Sequence, residues 1–286
     1  MDLFRSKSSS AASELKEPLT QRIERGELEL PVLPATAAAI MAACEDLDCN
    51  ARDLAVMLER DPSLAGNVLR VANSVAYAPV EPVVSLHHAV THLGFNALCS
   101  IAVSVSLQGK VFRVDGHEAL LERLWQHSAL AGAWAREIAR YHRRDVESAF
   151  LCGLMHDVGK PVILLALSEI ASSSGVALAD ELALEWMDEF HGVVGARLVT
   201  EWGLPDWMAG AVRFHHETEA AGDDADGARM TRFADLLAHW TLASSMGEAD
   251  APRSDPVVAA LGLRSEDVDE LLARREEVEQ MSEALS

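Results

Sequence analysis

Seven side chains between residues 127 and 235 have types and placements that could hold a metal ion: His127, His156, Asp157, His191, His215, His216 and Asp235. Their positions matter more than their number. His127 continues the stripe Leu120, Leu124, His127, Ala131, Trp134 and Ile138, whose steps of four and three mark the core face of a helix. His191 lies on Met187, His191, Val194 and Leu198 with the same geometry, and His215 follows Met208, Ala211 and Val212. Asp235 stands among Ala234, Ala238 and Leu242. Imidazoles and a carboxylate at core-facing positions need hydrogen-bond partners or a cation, because a buried polar group left alone is costly.

The strongest local pattern is His156-Asp157-Val158-Gly159-Lys160, which follows the apolar run Phe150–Met155. Adjacent His and Asp at a helix end offer one nitrogen and one oxygen to the same ion. Gly159 is expected to let the backbone turn, and Lys160 to carry a cation toward a bound phosphate. Mixed imidazole and carboxylate ligation suits Fe, Mn or Zn, as one ion or two, rather than Ca²⁺. Each residue also has a plainer reading. A lone core histidine is more often bonded to a carbonyl than to a metal, Asp157 could cap a helix, and Lys160 could be a surface charge. His87, His88, His92, His117, His142 and His239 show no supporting pattern and are read as ordinary histidines.

Helices must position these groups. From about Leu28 onward the chain is rich in Ala and Leu, and aromatics are only 5%. Helix punctuation recurs. Asn50 with Asp53 forms a capping box, and Asp61-Pro62 opens a helix to about Ala72. Ser85 caps a helix ending at Gly94, and Gly203 closes one before Leu204-Pro205. An acidic loop is expected over 218–228, and one last helix, capped by Ser265, from Glu266 to about Ala284. The fold class is all-α, with two helical lobes. A composition shift near 109–117 divides an N-terminal lobe, about 28–110, from a histidine-bearing lobe, about 117–246, and 250–286 is an acidic helical tail. Residues 1–20 are Ser-rich and read as a flexible leader whose deletion should leave the melting temperature unchanged. The six Trp residues are read as core or lobe-interface packing.

Charge narrows the function. Lys plus Arg total 24 and Asp plus Glu 45, so the formal net charge is 24 − 45 = −21. Phosphate backbones are bound by clustered Lys and Arg, so nucleic acid is not an expected partner. An anionic membrane surface would repel the chain. No continuous apolar run approaches the ~20 residues of a membrane span, and residues 1–18 lack a signal-peptide core. The expected location is cytoplasmic, with Cys44, Cys49, Cys99 and Cys152 reduced.

The order His127, His156-Asp157, Asp235 resembles the metal signature of the HD superfamily of metal-dependent phosphohydrolases. His191, His215 and His216 match the additional histidines of its HD-GYP branch, which hydrolyses cyclic dinucleotides, and Lys160 matches that branch's HD-x-G-K lysine. The N-terminal lobe resembles the HDOD domain. The segments that carry this likeness are Leu30-Pro31-Val32-Leu33-Pro34, Arg60-Asp61-Pro62-Ser63-Leu64, Leu69–Ser74, Ser85-Leu86, Leu93-Gly94, Trp125–Ser128, Gly153–Asp157, His191-Gly192 and Leu204-Pro205 to Glu217. It spans about 28–245 and implies a bacterial signalling module without general catalytic activity. Two departures stand out. More potential ligands are kept than in a degenerate HDOD domain, which favours a metal. No Gly-Tyr-Pro follows His216, and Arg123 stands where hydrolytic relatives often place an extra Glu. The resemblance thus implies a regulatory module acting on signalling proteins through the groove between lobes and the acidic tail. The alternative is a phosphohydrolase in which His127, His156, Asp157 and Asp235 hold one ion, His191, His215 and His216 a second, and Lys160 stabilises developing charge. A small nucleotide is compatible with either reading. A helical scaffold with a self-satisfied polar core is the third.

Overall fold

The structure is a computed structural model. It describes residues 2–46, 48–74, 77, 79–107, 112–243 and 250–285, the side chains of 2–13, 45 and 250 excepted. Part of the composition shift near 109–117 therefore lies outside the described residues.

Among the described residues every regular element is helical. The chain runs through α1 (Asp2–Arg25), α2 (Ala35–Glu45), α3 (Ala51–Leu58), α4 (Pro62–Ala72), α5 (Leu86–Leu93) and α6 (Phe95–Leu107). It continues through α7 (Glu118–Tyr141), α8 (Val146–Met155), α9 (Gly159–Ser174), α10 (Asp180–Glu201), α11 (Asp206–Phe214) and α12 (Ala225–Leu242). Four short helices follow: α13 (Asp250–Ser254), α14 (Pro256–Ala260), α15 (Ser265–Leu272) and α16 (Arg275–Leu285). The caps read from the sequence are in place. The Asn50 side chain accepts from the Arg52 and Asp53 amides and Asp53 returns a bond to Asn50, while Asp61 accepts from Ser63 and Leu64 ahead of Pro62. Ser85 caps α5, and Gly94 and Gly203 take the positive φ that ends a helix at little cost for glycine.

The first lobe packs α2 and α4 on α6 and α3 on α5. The second packs α7 on α8 and α12, then α9, α10, α11 and α12 in succession. The lobes meet where α6 lies on α8 and where Arg136 of α7 bonds the Tyr77 hydroxyl of the first lobe. Buried apolar residues from Leu15 to Leu285 form one continuous core. Trp134, Trp186 and Trp202 are buried in it, whereas Trp207 remains 38% exposed.

Five expectations are corrected. Residues 1–20 are not a free leader: they form most of α1, where Leu15 and Leu19 are 0% exposed and the helix packs on α9 and α10. Lys16–Glu189 and Arg22–Glu169 ion pairs pin its outer side. The serines argued against a helix there, but the i, i+4 spacing of Leu15, Leu19 and Ile23 supplies an apolar stripe, and burial overrides propensity. Cys44 and Cys99 are not free thiols: they are joined in a disulfide where α2 meets α6, with Cα atoms 6.3 Å apart. Residues 218–228 are a 3-10 turn, Thr218–Asp224, running into α12 rather than a loop. The last helix is two, α15 and α16, with Arg264 rather than Ser265 at the N-cap. The tail also does more than extend into solvent. α16 crosses α7, α4 and α6, burying Val278, Met281 and Leu285.

One helical stretch among the described residues, Val146–Ser174, is long and apolar enough to cross a membrane by length and composition. It comprises α8 and α9, and 78% of its most apolar window is buried inside the protein, which accounts for its hydropathy as core.

The packing of α1 is directly testable. Leu15→Ala and Leu19→Ala should each cost about 2–5 kcal/mol, the range for fully buried leucines. Urea unfolding should show lowered midpoints for both, and midpoints equal to the parent chain would restore the reading of a free leader.

Candidate metal centre

Five helix ends and faces bring the seven residues together. α7 carries His127 inward, α10 carries His191, and α12 carries Asp235; all three are buried. His156 and Asp157 occupy the break between α8 and α9, at 0% and 3% exposure. His215 ends α11 and is buried, and His216 beside it is partly exposed.

Pro161 falls in the first turn of α9, where its missing N–H costs nothing. Gly159 has a different role from the turn expected of it. It is helical, and a Cβ there would stand 2.2 Å from the His191 carbonyl oxygen and 2.7 Å from the Gly195 amide nitrogen. A Cβ on Gly192 would meet the Arg213 carbonyl oxygen at 2.7 Å. These two glycines let α9 and α11 approach α10 closely on either side of His191.

The donor atoms fall into two groups joined by Asp157. On one side, His127 Nε2 lies 3.2 Å from His156 Nε2 and 3.1 Å from Asp235 Oδ1. Asp157 Oδ2 is 3.7 Å from His127 Nε2 and 3.5 Å from His156 Nε2. On the other side, Asp157 Oδ1 is 3.5 Å from His191 Nε2, which lies 3.2 Å from His215 Nε2 and 3.1 Å from His216 Nε2. In each of the groups His127–His156–Asp157 and His191–His215–His216, one donor atom per residue lies within 4.8 Å of the others.

Backbone carbonyls set the tautomers. Nδ1–H of His156 donates to Gly153 O at 2.6 Å, that of His191 to Met187 O at 2.9 Å, and that of His215 to Val212 O at 2.7 Å. A carbonyl only accepts, so the proton of each neutral ring sits on Nδ1 and Nε2 presents a bare lone pair. The lone pairs of His191 and His215 therefore face each other. His216 differs, because Arg232 Nη1 donates to its Nδ1 at 3.1 Å. Its proton is on Nε2, pointing at His191, and it joins a ligand set as a neutral imidazole only if Arg232 withdraws and that proton moves to Nδ1.

Both oxygens of Asp157 are buried; Oδ1 accepts no hydrogen bond, and Oδ2 is paired only with Lys160. Burial pushes the carboxyl up, but His156, Lys160, His191 and His127 outweigh it and hold Asp157 well below the usual carboxylate range. Asp235, likewise opposed by burial, is held low chiefly by the bond from His127. Burial pulls His215 well below the ordinary imidazole value and His216 down to about 4, so both stay neutral ligands near neutral pH. Lys160 is half in the site: Nζ lies 2.8 Å from Asp157 Oδ2 and 3.0 Å from Asp188 Oδ1. Burial opposes its charge, yet the two carboxylates push it up to about 12. Carbonyl-oriented imidazoles, facing lone pairs and a bare carboxylate oxygen are what a divalent ion needs and what a self-satisfied polar core lacks.

Sequence reasoning missed three contributors. Asp188 holds Lys160 from α10. Arg232, one turn before Asp235 on α12, reaches His216, Asp235 Oδ2 at 3.4 Å and Asp255 at 3.4 Å. His239, read as an ordinary histidine, places Nε2 3.3 Å from Asp235 Oδ1. The Asp235–His239 spacing of four was the signal that both share a helix face. A solvent-facing cavity of about 590 Å³ opens over the site, lined by Lys160, Asp188, His191, His216, Arg232 and His239 among others.

The chain belongs to the HDOD domain family, whose family model matches residues 30–218. Asp235 and His239 lie beyond that segment. A protein of Treponema pallidum (strain Nichols), itself uncharacterized, is 25% identical over 205 residues; the match covers 68% of this chain and 39% of that protein. This chain thus spans well under half the length of that relative. Among solved structures, a Shewanella amazonensis protein provisionally named a metal-dependent phosphohydrolase aligns with TM-score 0.76 and 20% identity, over 96% of this chain and 99% of that one. An HDOD domain protein of unknown function from Geobacter sulfurreducens aligns with TM-score 0.69 and 22% identity, over 98% and 99%. A Marinobacter aquaeolei protein provisionally named a signal transduction protein aligns with TM-score 0.66 and 25% identity, over 96% of this chain and 66% of that one. The all-helical HDOD fold is common to these comparisons.

The close approach at Gly159 yields a prediction. Gly159→Ala should displace α9 from α10, costing about 1–3 kcal/mol or more through overpacking. Thermal unfolding of the variant should show a clear drop in midpoint, whereas exposed Gly66, with open space around it, should tolerate Ala without loss.

Proposed function

We propose that this chain is a metal-holding regulatory HDOD module that acts by binding a signalling protein, and not by turning over a phosphodiester. The observation that carries the metal is the buried Asp157 carboxylate, paired on Oδ2 with Lys160 alone and bare on Oδ1, set between the His127–His156 and His191 nitrogens. His127, His156, Asp157 and Asp235 would hold one ion, and His191, His215, His216 and Asp157 a second. Imidazole with carboxylate fits Fe, Mn or Zn.

Charge at the mouth favours regulation over hydrolysis. Lys160, Arg213 and Arg232 face Asp188, Glu189, Glu217 and Asp235 around the cavity, so the cations are outnumbered where a phosphodiester would enter. Lys160, the expected phosphate cation, is already engaged by two carboxylates. Arg232 is likewise engaged by Asp235 and Asp255. Of the acidic turn after His216, Glu217 is the residue that lines this cavity. Such a field suits a basic protein surface better than an anionic substrate.

The phosphohydrolase reading has its own support, namely the complete ligand set beneath a solvent-open cavity. A bound ion would supply Lewis-acid polarisation of a phosphoryl oxygen and activation of water. In that case Lys160 would have to leave Asp188 to neutralise charge on the substrate.

One experiment addresses both. Protein purified without chelator should contain a transition metal by elemental analysis, and Asp157→Asn should lose it. With Mn²⁺ or Fe²⁺ added, neither protein should hydrolyse cyclic dinucleotides or an aryl phosphodiester. Metal-dependent turnover by the parent chain that disappears in Asp157→Asn would establish the hydrolase instead, and the absence of metal from the parent chain would refute the metal centre.

A further inference from the structure

We infer that His239 is an additional ligand, from the solvent side, to the ion held by His127, His156, Asp157 and Asp235, so that an imidazole closes this site where a hydrolytic one would stay open. The inference rests on the metal reading above and adds to it a residue beyond the segment shared with the family.

Geometry places His239 on the site rather than near it. It follows Asp235 by one turn on α12, so both side chains leave the same helix face. Its Nε2 lies 3.3 Å from Asp235 Oδ1, the oxygen that His127 Nε2 approaches at 3.1 Å. Its ring lies against the His127 ring, with centroids 4.3 Å apart. Donor atoms of His127, Asp235 and His239 lie within 4.8 Å of one another, a third such group beside the two described above. Two imidazole nitrogens converging on one carboxylate oxygen is more than a surface i, i+4 pair requires.

Exposure separates His239 from the other members. His127, His156, Asp157 and Asp235 are buried to 5% exposure or less, while the His239 side chain is 65% exposed. It therefore stands at the mouth, on the path by which water or substrate would reach the ion. Catalytic metal sites keep one position for water or substrate, whereas structural sites fill every position with protein. An imidazole there completes a neutral-donor position without adding charge. Because the ring is largely in solvent, it can rotate away and return, so the closure is exchangeable.

Co²⁺ alone, titrated into the full chain, tests this by its visible absorption, which reports ligand number and type, and by competition with a chromogenic chelator. His239→Ala should change the Co²⁺ spectrum and weaken binding on the order of tenfold or more, as loss of a supporting group at a metal site does. Added free imidazole should return the His239→Ala spectrum to that of the parent chain and leave the parent spectrum unaltered. His239→Gln keeps a donor to Asp235 but no imidazole, and should resemble Ala. A Gln variant with parental spectrum and affinity would mean that His239 only orients Asp235, and the inference would be overturned. It would also be overturned if the parent chain binds Co²⁺, Asp157→Asn abolishes that binding, and His239→Ala is indistinguishable from the parent. A parent chain that binds no Co²⁺ would instead refute the metal reading itself, and this inference with it.

Discussion

A carboxylate at the meeting point of two helices organises this protein. Asp157 sits at 3% exposure between α8 and α9, with one oxygen toward the His127–His156 side and the other toward His191. An isolated buried carboxylate would be prohibitive, and here Lys160 and the surrounding imidazoles offset that cost. The rest of the second lobe follows from keeping those groups within reach. α7 must lie on α8, α10 must come close enough to α9 that only glycine fits at 159, and α12 must close over the top with Asp235. The second lobe is thus the set of helix contacts that one buried negative charge demands.

Much of this was legible in the sequence because the relevant rules are local. Caps at Asn50, Asp61 and Ser85 depend on a few neighbouring residues, and all are formed. Helical periodicity identified the inward faces of His127, His191 and Asp235, since a polar residue on an apolar stripe is conspicuous. What escaped was non-local. Cys44 and Cys99 pair only because α2 packs on α6, and nothing near either residue announces it. Gly159 resembled a turn residue, whereas its need for hydrogen in place of a Cβ comes from the backbone of His191, thirty-two positions on. His239 escaped for a further reason: its exposed side chain breaks no apolar pattern, so only its distance to Asp235 identifies it.

The two ends of the chain show the same asymmetry between composition and packing. Serines made residues 1–20 look unstructured, and an excess of acids made 250–286 look like a charged appendix. Yet Leu15 and Leu19 bury one end, and Val278, Met281 and Leu285 bury the other. A helix needs only one narrow apolar stripe to dock, and the remaining faces can carry any charge the solvent accepts. The tail also reaches the site, since Asp255 holds Arg232, which in turn bonds His216 and Asp235. Mean composition over a segment averages that stripe away.

The continuous core means that an ion at the proposed site would not be needed to fold the chain. In a zinc finger the ion supplies the folding energy, because too little apolar surface is buried without it. In this chain the core runs from Leu15 to Leu285, and the ligands are oriented by backbone carbonyls that belong to their own helices. Rigid helices therefore pay most of the cost of assembling the donors before any ion arrives. Binding energy then goes into affinity and into the few groups still able to move, which are those at the mouth: His216 with its Arg232 partner, Lys160 between two carboxylates, and His239 in solvent. A signal carried by the ion would accordingly emerge at this rim and not in the core. The rim is also where the outnumbered cations and Glu217, next to His216, meet solvent.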